Sequence, residues 1–119
     1  MPTPRMRRVN EAVREVVSAH ISQDVKDPRI GFVTVTAVDT TPDLRRARVY
    51  VSVLGSEEER EAALAGLTSS SGFLQSQIAE ELRLKRTPTL EFRYDESIEY
   101  GMRMSALLEG DSPPEPEGA

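Results

Sequence analysis

Between Leu44 and Leu54 the chain alternates with a period of two. Ala47, Val49, Val51 and Val53 fall on one side, and Arg46, Arg48, Tyr50 and Ser52 on the other. A strand of this kind is covered on one face and wet on the other. That commits the chain to a one-sided sheet whose apolar face other elements must cover. Phe32 to Val38, rich in Val33, Thr34, Val35, Thr36 and Val38, supplies a neighbouring strand. Thr40-Thr41-Pro42-Asp43 is the turn between them. A third strand is expected over Leu90 to Tyr94, with Leu90, Phe92 and Tyr94 inward and Glu91 and Arg93 outward.

The covering elements are helices. Val9, Val13, Val16, Val17 and Ile21 recur at helical spacing and predict a helix over about residues 6–25, stopped by Asp27-Pro28. Ser56 and Glu59 have capping-box spacing and open a second helix over about 57–69. Four poor helix formers, Ser69, Ser70, Ser71 and Gly72, interrupt the pattern. It resumes over about 71–84 with Leu74, Ile78 and Leu82 on one face and Phe73 and Ala79 beside them, then ends at Thr87-Pro88. A short last helix is expected between Glu96 and Leu108, weakened by Gly101. The order helix, strand, strand, helix, kink, helix, strand predicts an α+β domain with a three-stranded sheet and helices packed on one face. This is the type II KH-like arrangement. A KH domain grips single-stranded nucleic acid with a Gly-x-x-Gly loop between two helices. Here that place holds Ser70-Ser71-Gly72.

Composition narrows the chemistry. The 119 residues suit one domain. With no cysteine and one histidine, thiolate and multi-histidine metal sites are excluded and a histidine-based catalytic pair is disfavoured. No nucleophile-base pairing, glycine-rich phosphate loop or metal-ligand spacing occurs, so neither an enzyme nor a cofactor is expected. No apolar run approaches the ~20 residues of a membrane span and no signal-peptide core opens the chain, which predicts a cytoplasmic protein. The net charge is −5, yet Glu109, Asp111, Glu115 and Glu117 follow the last base, Arg103. Without that tail, fifteen bases face sixteen acids. The expected organisation is a domain over 1–108, its first six residues a flexible basic arm, and a disordered acidic, proline-rich tail over 109–119.

Five cationic or small-residue groups are candidate RNA contacts. They are Arg5, Arg7 and Arg8 in the arm; Lys26 and Arg29 after the first helix; Arg45, Arg46 and Arg48 on the hairpin; Ser70, Ser71 and Gly72 at the kink; and Arg83, Lys85 and Arg86 at the end of the third helix. Guanidiniums match phosphate geometry, and a helix start attracts anions. The same residues fit a solvated basic cap and a plain solvent face on the sheet. His20, beside the apolar stripe, reads as a flanking residue.

Asp27-Pro28-Arg29-Ile30-Gly31, Ala47-Arg48-Val49-Tyr50-Val51-Ser52-Val53, Arg83-Leu84-Lys85-Arg86-Thr87-Pro88-Thr89-Leu90-Glu91-Phe92, Asp95-Glu96-Ser97 and Gly101-Met102-Arg103-Met104 occur in this order. From about Arg7 to about Leu108 the chain thereby resembles the ribosome-binding factor A family of bacterial small-subunit assembly factors. The resemblance implies an Ala-x-Gly kink in place of the KH clamp. It would fall on Ser70-Ser71-Gly72, with serine at the first position. It further implies binding to the free small (30S) ribosomal subunit and its 16S rRNA, help in late maturation and 5′-end rRNA processing, and release linked to a ribosome-associated GTPase. No catalysis is implied. The expected state is a monomer. A generic KH-like single-stranded RNA-binding module and a protein-protein interaction module are the competing readings.

Overall fold

The computed structural model describes residues 3–97. Helix α1 (Pro4–Gln23) starts earlier than its apolar stripe suggests. The Thr3 hydroxyl accepts the Met6 N–H at 3.1 Å and Pro4 takes the first helical position. Arg5, Arg7 and Arg8 are therefore helical, and the expected arm over 1–6 is corrected: from Pro4 onward it is the start of α1, with the three arginines exposed and Met6 buried. The stripe extends to Met6, and Val13 and Val17 are fully buried.

Strands β1 (Val33–Thr40) and β2 (Arg46–Val53) form an antiparallel hairpin, and β3 (Thr89–Tyr94) adds parallel to β2, giving the order β1-β2-β3. As expected, Ala47, Val49 and Val51 are fully buried, whereas Arg46 and Arg48 lie exposed on the other face. In β1 a bulge between Val35 and Ala37 shifts the register. Beyond it Val38 and Thr40 turn inward, opposite Val49 and Ala47, and Asp39 turns out opposite Arg48. One inserted residue exchanges the faces of everything after it. In the turn, Leu44 holds a left-handed φ of 61° and donates its N–H to the Thr41 carbonyl. Its side chain is buried, and that burial offsets the backbone strain.

Helix α2 (Glu57–Ser69) opens with the expected capping box: Ser56 N–H to Glu59 Oε1 at 2.7 Å, and Glu59 N–H to Ser56 Oγ at 3.1 Å. Helix α3 (Ser71–Leu82) ends two residues before its expected limit, where Arg83 adopts a left-handed φ of 49°. Helix α1 packs on β1 and α3, and α2 on β3. Leu67, Leu74 and Ile78 fill the space between helices and sheet with no solvent exposure. Each contributes about 1.5–3 kcal/mol by burial. The last helix expected over 96–108 and the acidic tail lie outside the described residues, apart from Glu96 and Ser97.

Candidate nucleic-acid interface

Local backbone contacts decide which cations come together. Asn10 Oδ1 accepts the Thr40 N–H at 2.8 Å, so the start of α1 lies beside the end of β1. Thr89 N–H donates to the Arg45 carbonyl at 2.9 Å, which draws the α3–β3 connection to the same hairpin tip. Arg5, Arg7 and Arg8, Arg45 and Arg46, and Lys85 and Arg86 thus come from three separate segments to one end of the molecule, all exposed. Asp43 sits among them. Its carboxyl is held below the usual range by the Thr41 hydroxyl first and the Arg45 N–H second, and then by the Arg45 and Arg86 guanidiniums. This last influence places Arg86 near the tip.

The second group forms at the kink. Ser70 closes α2 and opens α3 with φ −92° and ψ 0°, its N–H shared between the Gly66 and Leu67 carbonyls. The Ser71 hydroxyl returns to the Thr68 carbonyl at 2.8 Å, and no side chain caps α3. An open groove of about 690 Å³ runs past this point, walled by Asp24 to Arg29 on one side and Ser70 and Phe73 on the other. Arg29 crosses it, holding Asp27 through Nε at 3.0 Å and Nη2 at 2.6 Å, with Nη2 3.2 Å from Ser69 Oγ. These bonds from Arg29 take the Asp27 carboxyl down to about 2.

Two expected roles change. A Cβ on Gly72 would meet nothing within 4 Å, and its φ is not left-handed, so neither space nor conformation requires glycine there. The glycine that matters is Gly66. Its missing Cβ leaves room for Ile30 Cγ1 at 2.9 Å and for the Asp27 carboxylate at 3.2 Å, which lets the α1–β1 connection seat on α2. Second, the outer sheet face is charge-balanced. Arg46 pairs with Glu91 at 3.5 Å, Arg93 with Glu91 at 3.3 Å, and Arg48 lies in register between Asp39 and Glu91. Arg83 caps α3 apart from the kink, so the structure divides the candidate residues between tip, groove and outer face.

Phe73, 42 % exposed in the groove, is a site residue that the sequence does not single out, because its place beside an apolar stripe reads as packing. His20 is also more engaged than a flanking residue. Nδ1 lies 2.5 Å from Asp24 Oδ2, Nε2 lies 2.6 Å from Glu81 Oε2, and the ring meets Phe73 edge-on. Carboxylates only accept, so the protonated ring, with both nitrogens donating, is the form that satisfies both contacts and bridges α1 and α3. Its pKa is raised by Glu81 first and Asp24 second.

The model of the family described as Ribosome-binding factor A matches residues 5–108. The ribosome-binding factor A of Geobacter sulfurreducens is 49 % identical over 104 residues, 87 % of this chain and 88 % of that protein. The crystal structure of the Thermus thermophilus factor superposes with a TM-score of 0.67 at 29 % identity, covering 75 % of this chain and 94 % of that one. A homology model of the Thermus thermophilus factor, fitted into an electron cryo-microscopy map of a 30S complex, gives 0.61 at 30 % identity, with 73 % and 91 % covered.

Proposed function

The chain belongs to the ribosome-binding factor A family, and we propose from that membership that it binds the free small ribosomal subunit, with its basic hairpin tip on 16S rRNA. The observation that carries the reading is the convergence of three cation-bearing chain segments at the tip, where the Arg45 and Arg86 guanidiniums both act on the Asp43 carboxyl. Phosphate contacts of this type position a protein without reading sequence, so specificity comes from the folded shape of the rRNA. The kink groove, with Lys26, Arg29, Ser70 and Phe73, offers a second, smaller contact. The protein performs no chemistry of its own. Acting in the cytoplasm as a monomer, it assists late maturation and 5′-end processing, and a ribosome-associated GTPase acts in its release.

The test is co-sedimentation with purified small subunits from about 50 to about 200 mM salt. The wild type is expected to pellet with free small subunits and not with complete ribosomes. Arg45→Glu with Arg86→Glu should weaken binding and lower the salt slope by about 0.7–0.9 for each phosphate that is no longer neutralised. Unchanged affinity and slope would remove the tip from the RNA. A short oligonucleotide bound as tightly as the subunit would support a single-stranded RNA module instead, and binding indifferent to salt a protein-interaction module.

A further inference from the structure

The opposite end of the hairpin has a different chemistry. Phe32 is 80 % exposed and Leu54 76 %. The Leu54 N–H donates to the Phe32 carbonyl at 3.2 Å, so the two residues are neighbours across the extended β1–β2 pair. Val33 and Val53, the next pair, have the inward parity of the core, and Thr34 and Ser52 the outward one. Phe32 and Leu54 share the parity of Thr34 and Ser52, the face that no helix among the described residues covers. Isolated exposed apolar residues are ordinary, but two large ones side by side at the end of a sheet form a patch.

The charge around this patch is negative. Leu54 leads through Gly55 and Ser56 directly into Glu57, Glu58 and Glu59, all exposed. Glu59 is held in the capping box, whereas the charges of Glu57 and Glu58 face solvent beside the helix start. Asp95, whose N–H donates to the Val51 carbonyl, brings the end of β3 to the same end, followed by Glu96. The cations closest along the chain have other partners: Arg29 holds Asp27, Arg60 lies over the Tyr94 ring at 4.3 Å, and Arg93 pairs with Glu91 at 3.3 Å. Strand rise separates this end from the basic tip by about 25 Å.

RNA is a poor occupant for such a surface, since phosphates would face Glu57, Glu58 and Glu96. A basic polypeptide is a good one: lysine or arginine answers the carboxylates, and an apolar side chain covers Phe32 and Leu54. We propose that the Phe32–Leu54 end docks a lysine- and arginine-rich protein segment carried by the particle whose RNA the tip engages. The proposal rests on the small-subunit reading above. It makes the domain a two-ended adaptor, RNA at one end of the strands and protein at the other.

Charge reversal separates the occupants by sign. Glu57→Lys with Glu58→Lys keeps Glu59 for the cap. It should weaken binding to purified small subunits at least tenfold if the occupant is basic protein, and tighten it if the occupant is RNA. Phe32→Ser with Leu54→Ser should also weaken binding at least tenfold with an unchanged salt slope; both residues are exposed, so an unchanged melting temperature verifies the fold. A benzoylphenylalanine photoprobe at position 32 of the full chain should then give a protease-sensitive adduct with a basic protein segment of the subunit. An rRNA adduct, tighter binding of the charge-reversed variant, or wild-type affinity in both double variants overturns the proposal. So does a wild-type dimer in sedimentation that Phe32→Ser with Leu54→Ser dissolves, since the patch would then belong to a second copy. If the wild type itself fails to bind small subunits, the parent reading falls; if it binds and the variants match it, only this inference does.

Discussion

Two glycines six residues apart should respond to the same substitution with opposite signs. Alanine in place of glycine within a helix gains up to about 1 kcal/mol. At Gly72, near the start of α3, a new methyl meets nothing within 4 Å, so this gain is unopposed and Gly72→Ala should be neutral to about 1 kcal/mol more stable. At Gly66, a buried position of α2, the methyl would lie 2.9 Å from Ile30 Cγ1 and 3.2 Å from Asp27 Cγ and Oδ2. Ile30 is half-buried and Asp27 is tied to Arg29, so neither withdraws freely. Forcing an extra methyl into a packed contact costs about 1–3 kcal/mol. After the helical gain, Gly66→Ala should be destabilised by about 1 kcal/mol. The gap between the variants is then about 2 kcal/mol, or roughly 10 °C in melting temperature for a domain of this size. Urea titration of the three proteins measures it. A second readout is the Asp27 carboxyl. Displaced from Arg29 in Gly66→Ala, its pKa should rise from about 2 towards the ordinary aspartate value, observable by NMR. A Gly66→Ala protein as stable as wild type would refute the packing argument. A destabilised Gly72→Ala would mean that the kink does require glycine there.

Thr40 buries a hydroxyl with no partner among the described residues, although its N–H is satisfied by Asn10. Thr40→Val keeps the shape and removes the orphan oxygen, so stability should rise by about 1 kcal/mol in urea titration. The His20 bridge makes stability depend on pH. Its folded pKa is raised, so its contribution is complete below the unfolded value near 6.5 and is lost as pH rises through the folded one. Because Asp24 and Glu81 are each 44 % exposed, about 1 kcal/mol or less is expected. His20→Gln should show the difference from wild type at pH 6 and little of it once the wild-type histidine has lost its proton, measured by urea midpoints across that range.

Much of the fold is legible because its signals are local. The alternation of β2 needs only the period of a strand. The capping box needs four consecutive residues, and α1's stripe needs one helical face. Each can be read within a single segment, without knowing what that segment packs against. The β1 bulge lacks such a signal. Val33, Val35, Ala37 and Asp39 alternate acceptably by themselves. Only pairing with β2 and the need to bury Val38 reveal the shift that sends Asp39 outward. The end of α3 is hidden for a related reason: Arg83 takes a left-handed conformation that its sequence does not announce.

The candidate interface divides along the same line. Local pattern along the chain specifies an α+β domain with a one-sided sheet, a helical break around Ser70 and a surplus of arginine in certain segments. Charges count without coordinates, and period follows from backbone geometry. Tertiary structure decided which charges act together. The bonds from Asn10 to Thr40 and from Thr89 to Arg45 join residues thirty or more positions apart, and through them the cations of α1, the hairpin and the α3–β3 connection share one end. Equally distant pairings offset part of the charge: Arg46, itself at the tip, pairs with Glu91, and Arg48 lies in register between Asp39 and Glu91. Electrostatic free energy depends on separation in space, so a basic surface exists only after folding has set those separations.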